Sequence, residues 1–136
     1  MPLAALDTNV LLRLVVRDPL EQYERARELL TMPRSRFRVS DYAFVELVFA
    51  LDRYYDLSRD QIADTVLGIV AIDTIECNGI AVASAVEFWR THPKLSFEDC
   101  LMAEDAESHD AVPLWTFDHK LANQHSAAQE VPSLSR

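Results

Sequence analysis

Apolar positions along the chain fall into short runs separated by longer segments of helical period. Leu3-Ala4-Ala5-Leu6 is a brief apolar run that stops at Asp7. Val10 to Val16 is nearly all apolar and follows Thr8-Asn9, a suitable helix start. Pro19 opens the helical segment PLEQYERARELL, because proline is tolerated in a first turn. Arg36 to Ser40 reads as a strand, and a helix follows from about Asp41 to Tyr55 with Ser40 as its N-cap. Ser58 caps SRDQIADTVLGIVAI, and Asp73 to Glu76 is a short strand. Ile80 to Arg90 is helical and amphipathic, Ser96 begins SFEDCLMAEDAESH, Val112 to Phe117 is a strand, and Asp118 opens a last short helix. From about residue 126 the pattern is indistinct. Strands separated by helices require crossover connections and so a parallel sheet. The expected architecture is a single α/β domain over residues 1–136, with a sheet of about four or five strands.

Composition narrows the function classes. Hydrophobic residues make up 49% of the 136 and charged residues 26%, too apolar for a disordered chain and enough for one core. The only glycines, Gly68 and Gly79, exclude a glycine-rich phosphate cradle. Cys77 and Cys100 form no CxxC or zinc spacing. MPLAALDTNV lacks the basic start of a signal peptide, and no apolar run approaches the roughly 18–20 residues that span a bilayer. No membrane association and a cytoplasmic location are the expectations. The net charge of −9 repels nucleic acid in bulk, but a carboxylate cluster that holds metal ions would raise the acidic count without lining a substrate path with negative charge.

Four carboxylates stand out. Glu46 lies within AFVELVFAL, which reads as a helix apolar all round; a carboxylate buried there needs pairing or a cation. An ion pair with Arg53 or a narrow exposed stripe is the alternative. Asp7 ends an apolar strand and Asp118 follows PLWTF, both where a parallel sheet places ligands and where aspartate also caps helices. Asp99 stands three residues after Ser96, where it serves either a capping box or a site. Carboxylates converging at one sheet edge repel unless cations neutralise them, and oxygen donors suit Mg²⁺ or Mn²⁺. The chemistry that follows is metal-assisted phosphodiester hydrolysis.

At this point the residues resemble a family. Asp7-Thr8-Asn9-Val10-Leu11-Leu12-Arg13, Glu46 in VELVFAL, Ser96-Phe97-Glu98-Asp99-Cys100-Leu101-Met102-Ala103 and Thr116-Phe117-Asp118-His119-Lys120-Leu121-Ala122 are similar, in order, to the motifs of PIN-domain ribonucleases. RYYDLSRDQIAD looks like the corresponding helix pair of VapC toxins from toxin–antitoxin modules. The resemblance implies a three-layer α/β/α fold with a central, mainly parallel sheet. It implies a Mg²⁺ or Mn²⁺ centre on Asp7, Glu46, Asp99 and Asp118 that cleaves RNA, with Thr116 positioning the site and Asn9 organising the first loop by hydrogen bonds. It also implies a VapB-type antitoxin as inhibitor and a homodimer or toxin–antitoxin hetero-oligomer. Many relatives carry a glycine between the Asp99 helix and the following strand; here the segment is Ser108-His109-Asp110-Ala111-Val112-Pro113, which puts the turn geometry in question.

The remaining features have weaker assignments. Arg13 and Arg17, one helical turn apart, are candidates for RNA phosphate or antitoxin contact. Arg34, Arg36 and Arg38 alternate and read chiefly as solvated guards of an edge strand. His119 beside Asp118 is the one histidine placed for a substrate contact, and the aromatic residues read as core or dimer interface. Two other function classes fit the pattern: a catalytically silent protein-binding domain, which leaves Glu46 unexplained, and a metal-dependent phosphatase, for which Asp7-Thr8-Asn9 lacks the second aspartate.

Overall fold

A computed structural model of the chain describes residues 3–134. They form an α/β protein whose strands all pair in parallel. The chain divides into two compact units, the first running to Gly79 and the second beginning at Ile80.

The first unit holds β1 (Ala4–Ala5), α1 (Thr8–Val16), α2 (Leu20–Thr31), β2 (Phe37–Arg38), α3 (Asp41–Tyr54), α4 (Arg59–Val70) and β3 (Ile75–Glu76). Its strands lie in the order β1-β2-β3, with Ala4 opposite Phe37 and Phe37 opposite Ile75. The central strand is therefore β2, and the reading of Arg34, Arg36 and Arg38 as guards of a sheet edge is corrected. Arg36 instead pairs across the sheet with Glu76, and Arg34 lies before the strand in a left-handed conformation, φ 63°. Pro19 stands just outside α2 as its N-cap residue, where its fixed φ and missing N–H cost nothing. α3 starts at Ser40, whose hydroxyl accepts from the Ala43 N–H. α4 starts at Ser58, which exchanges two hydrogen bonds with Gln61 in a full capping box. Phe44, Leu47 and Leu51 of α3, Leu11 of α1 and Ile62 and Val66 of α4 are fully buried. Each such side chain contributes about 1.5–3 kcal/mol of burial, which fixes the face α3 turns inward.

The second unit holds α5 (Gly79–Arg90, its first residue counted in the first unit), α6 (Phe97–Ser108), β4 (Leu114–Thr116), α7 (His119–Gln124) and β5 (Ala128–Glu130). β4 and β5 form a two-stranded sheet, with Leu114 opposite Ala128 and Thr116 opposite Glu130. The five strands thus divide three and two, where one central sheet of four or five was expected. β5 lies in the stretch the sequence pattern left unassigned. Trp89 packs edge to face on Phe97, ring centroids 6.3 Å apart, and Cys100 is a buried small apolar group. The glycine-less turn after α6 is closed by Asp110 at φ 54°, the left-handed position glycine would otherwise take. The Ala111 N–H bonds back to the Ala106 carbonyl at 2.9 Å. Among the described residues, no helix is long and apolar enough to cross a membrane.

Candidate active site

The four expected carboxylates divide two and two between the units: Asp7 and Glu46 in the first, Asp99 and Asp118 in the second. Asp7 follows β1 and is the N-cap residue of α1 in extended conformation, φ −75° and ψ 153°. Its side chain makes no capping hydrogen bond and is exposed; the Val10 and Leu11 N–H groups bond to the Asp7 main-chain carbonyl instead. The carboxylate is therefore not used to start the helix.

Thr8, the next residue, is only 9% exposed, and its hydroxyl donates to Glu46 Oε1 at 3.0 Å. That bond ties α1 to α3 and holds the Glu46 carboxylate beside the β1–α1 junction where Asp7 stands. Thr8 is not among the site residues expected from the sequence, although its signal is legible there. Thr8, Leu11 and Leu12 fall at i, i+3 and i+4, so the hydroxyl shares the buried face of α1 and needs a partner.

Glu46 itself is exposed, which corrects the expectation of a carboxylate inside a helix buried on all sides. α3 buries Ala43, Phe44, Leu47, Val48 and Leu51, while Tyr42, Glu46, Phe49 and Arg53 stand along an exposed stripe at spacings of four, three and four. Phe49 made the segment look apolar all round, yet it faces outward, as does Tyr42 one turn before Glu46. Arg53 does not pair with Glu46; its guanidinium lies 5.9 Å from the Phe49 ring centroid.

In the second unit Asp118 caps α7. Its Oδ1 accepts from the N–H groups of Lys120 (2.9 Å) and Leu121 (3.2 Å), and its own N–H donates to Thr116 Oγ1 at 2.9 Å. Thr116, at the end of β4, thus fixes the backbone that carries Asp118. Asp99 lies in the first turn of α6, half-buried, and its N–H donates to the Ser96 hydroxyl at 3.1 Å. The Asp99 side chain does not return a bond to Ser96, so the capping box is only half made and the carboxylate is not consumed by it. His119 engages Glu130 through Nδ1, and its Nε2 accepts from Asn123 at 3.0 Å, so the ring links α7 to β5.

The supporting residues have definite places as well. Asn9 lies inside α1 and lines a groove with Val10, Arg13, Gln22, Arg25, Ala26 and Leu29. Its side chain makes no hydrogen bond among the described residues. Arg13 donates to Gln22 Oε1 at 2.8 Å and to the Asp18 carbonyl at 3.0 Å, tying α1 to α2. Arg17 ends α1 at φ 63°, and its guanidinium lies 4.9 Å from the Tyr23 ring centroid. Asp41, the first residue of α3 after β2, is a further carboxylate in this region beyond the four expected; its Oδ2 accepts from Asn78 Nδ2 at 3.2 Å. Burial pushes the neighbouring Cys77 thiol up, Asp41 adds to this and Arg38 opposes it, so Cys77 is held in the neutral thiol form rather than as a nucleophile.

Among the described residues, no group of three or more His, Cys, Asp or Glu side chains stands close enough to hold a metal ion. The donor chemistry nevertheless suits a hard divalent cation. Every candidate is a carboxylate oxygen, Asp7 and Asp99 are free of capping duty, and Asp118 uses only Oδ1 in its cap. No curated protein and no solved structure matches the chain. A family match does exist, to the PIN domain, whose members are generally metal-dependent nucleases. It extends over residues 4–125, through both units and past all four carboxylates, and the chain belongs to the PIN domain family.

Proposed function

We propose that this protein is a metal-dependent endoribonuclease of the VapC type, the toxin of a toxin–antitoxin pair, active in the cytoplasm. The observation that carries the reading is the Thr8–Glu46 hydrogen bond, which draws a second carboxylate to the β1–α1 junction beside the uncapped Asp7. Membership of the PIN family over residues 4–125 supplies the reaction class.

Asp7, Glu46, Asp99 and Asp118 are the side chains that would hold Mg²⁺ or Mn²⁺. When bound, the cation would lower the pKa of water and neutralise charge on the scissile phosphodiester. The chain's own part is to fix the oxygen donors. Thr8 orients Glu46, the Thr116 hydroxyl and the α7 cap hold Asp118, and Ser96 sets the first turn that carries Asp99. The partners proposed are an RNA substrate, a VapB-type antitoxin that blocks the site, and a second copy of the chain.

The test is cleavage of a labelled pool of transfer and ribosomal RNA by antitoxin-free protein, with Mg²⁺, with Mn²⁺ and with EDTA, beside an Asp99→Asn variant. Cutting that requires metal and Asp99 supports the reading. No cutting in any metal by folded protein overturns it.

A further inference from the structure

The exposed stripe of α3 carries chemistry that the carboxylates do not use. Tyr42 is 69% exposed, Phe49 56% and Tyr54 70%. Tyr42 stands four residues before Glu46 and Phe49 three after it, so both rings are surface neighbours of that carboxylate. Phe49 and Tyr54 meet edge to face with centroids 6.3 Å apart, and Arg53 lies over the Phe49 ring. Arg53 has no carboxylate partner among the described residues.

We infer that this stripe is a base-stacking track that holds single-stranded RNA along α3 beside Glu46. The inference rests on the nuclease reading and adds to it the side chains that bind the strand. Aromatic rings interleaved with an arginine are what a single strand requires: π-faces for bases of any identity and a cation for the backbone. Arg53 supplies that positive charge on a chain that is otherwise strongly acidic. The T-shaped pair holds two rings in fixed relative orientation, so little side-chain freedom is lost when a base stacks. A second copy of the chain is a poorer occupant. A standard interface takes about 800 Å² and roughly 20–30 residues from each partner, whereas this is a single line of side chains. Its one wholly hydrocarbon member is Phe49; the others end in hydroxyl, carboxylate or guanidinium, and exposed Asp52 lies next to Arg53.

The experiment measures the affinity of a short fluorescein-labelled single-stranded RNA by anisotropy, in the Asp99→Asn background so that the strand is not consumed. Three proteins are compared: the parent, Phe49→Ala and Phe49→Trp. Each is titrated against the base-bearing strand and against an abasic strand of equal length. Loss of one stacked base weakens binding about 5- to 150-fold. The expected result is a Kd raised within that range by Phe49→Ala, restored by Phe49→Trp, with no difference between the proteins on the abasic strand. Phe49 is exposed, so truncating it should leave the fold intact, and thermal unfolding of each variant beside the parent is the check. Equal affinity of parent and Phe49→Ala for the base-bearing strand overturns the inference. So does a fall in oligomeric mass on Phe49→Ala with RNA affinity unchanged, which assigns the stripe to contact between copies. The two readings fail separately. Metal-dependent cleavage that Phe49→Ala leaves untouched removes the track and keeps the nuclease. Base-dependent binding without cleavage in any metal removes the nuclease and keeps the track.

Discussion

Replacing Thr8 by valine tests the residue that joins the two carboxylates of the first unit. The side chains have nearly the same shape, so the change deletes one hydroxyl and leaves α1 packed. A hydrogen bond to a charged group is worth about 1.5–3 kcal/mol. Glu46 is exposed, so water takes the vacated place on Oε1 and the loss falls to the lower end. Thr8 is 9% exposed, and the added methyl returns about 0.8 kcal/mol through burial. The net change in unfolding free energy is therefore within about 1 kcal/mol.

The effect on catalysis is expected to be larger than the effect on folding. A carboxylate released from its anchor samples several rotamers, and misplacing a catalytic group by about 1 Å can cost 100-fold. Thr8→Val should lower kcat at least tenfold under saturating RNA and Mn²⁺, while its urea midpoint stays close to that of the parent. Thr8→Ser keeps the hydroxyl and should keep most of the activity, at the cost of about 0.8 kcal/mol for a lost buried methyl. Full activity in Thr8→Val would show that the Thr8–Glu46 bond does not position a working carboxylate. Loss of more than about 3 kcal/mol of stability would show that Thr8 is a core residue whose bond serves folding alone.

Three further outcomes follow from the same geometry. Asp118→Ala removes the acceptor of two N–H groups and should cost about 1 kcal/mol in urea unfolding, whereas Asp118→Asn retains an acceptor, keeps most of that stability and should still abolish metal-dependent cleavage. Asp110 occupies a left-handed position at φ 54°; Asp110→Gly should therefore be neutral or stabilising, and Asp110→Val should cost about 1–2 kcal/mol, read from thermal unfolding. Burial holds the Glu104 carboxyl above its ordinary range, His125 at 3.6 Å opposes this, and Glu107 adds to it. A carboxyl raised on folding gives stability that is complete below its unfolded pKa and lost as pH rises through the folded one, so Glu104→Gln should gain on the parent as pH goes from about 4 to 7. A parent that instead gained on the variant over that range would show that attraction to His125 outweighs burial.

Most of the helices were legible because their signals are local. Ser40, Ser58 and Ser96 each precede a helix and each accept from its third N–H, and a hydroxyl followed by apolar periodicity is enough to read that. β5 was not legible for the opposite reason. Ala128-Gln129-Glu130 has neither β-branched residues nor alternation, and its pairing with β4 is tertiary: Leu114 N–H to the Ala127 carbonyl at 2.7 Å and Val131 N–H to Thr116 at 3.0 Å. The arginines of β2 show the same limit. Alternation says they share a face, but only pairing partners on both sides reveal that the strand is central. Glu46 was picked out on a premise that fails. Phe49, counted towards a helix apolar all round, belongs to the solvent face, and hydropathy alone does not separate a buried phenylalanine from one left exposed.

The two strand-end aspartates show what the sequence leaves undecided at the site. Asp7 and Asp118 occupy the same local position, N-cap after an apolar strand, and both have extended backbone. Capping is worth about 1 kcal/mol to either helix. Asp118 takes it, through one oxygen, and keeps the other. Asp7 forgoes it, and α1 starts on backbone carbonyl bonds alone. Asp7 therefore keeps its carboxylate free for the metal-binding role proposed above, next to the buried threonine that holds Glu46. What sets Asp7 apart is its neighbour: the Thr8 hydroxyl reaches Glu46 across 38 positions of sequence, a contact that no local pattern encodes.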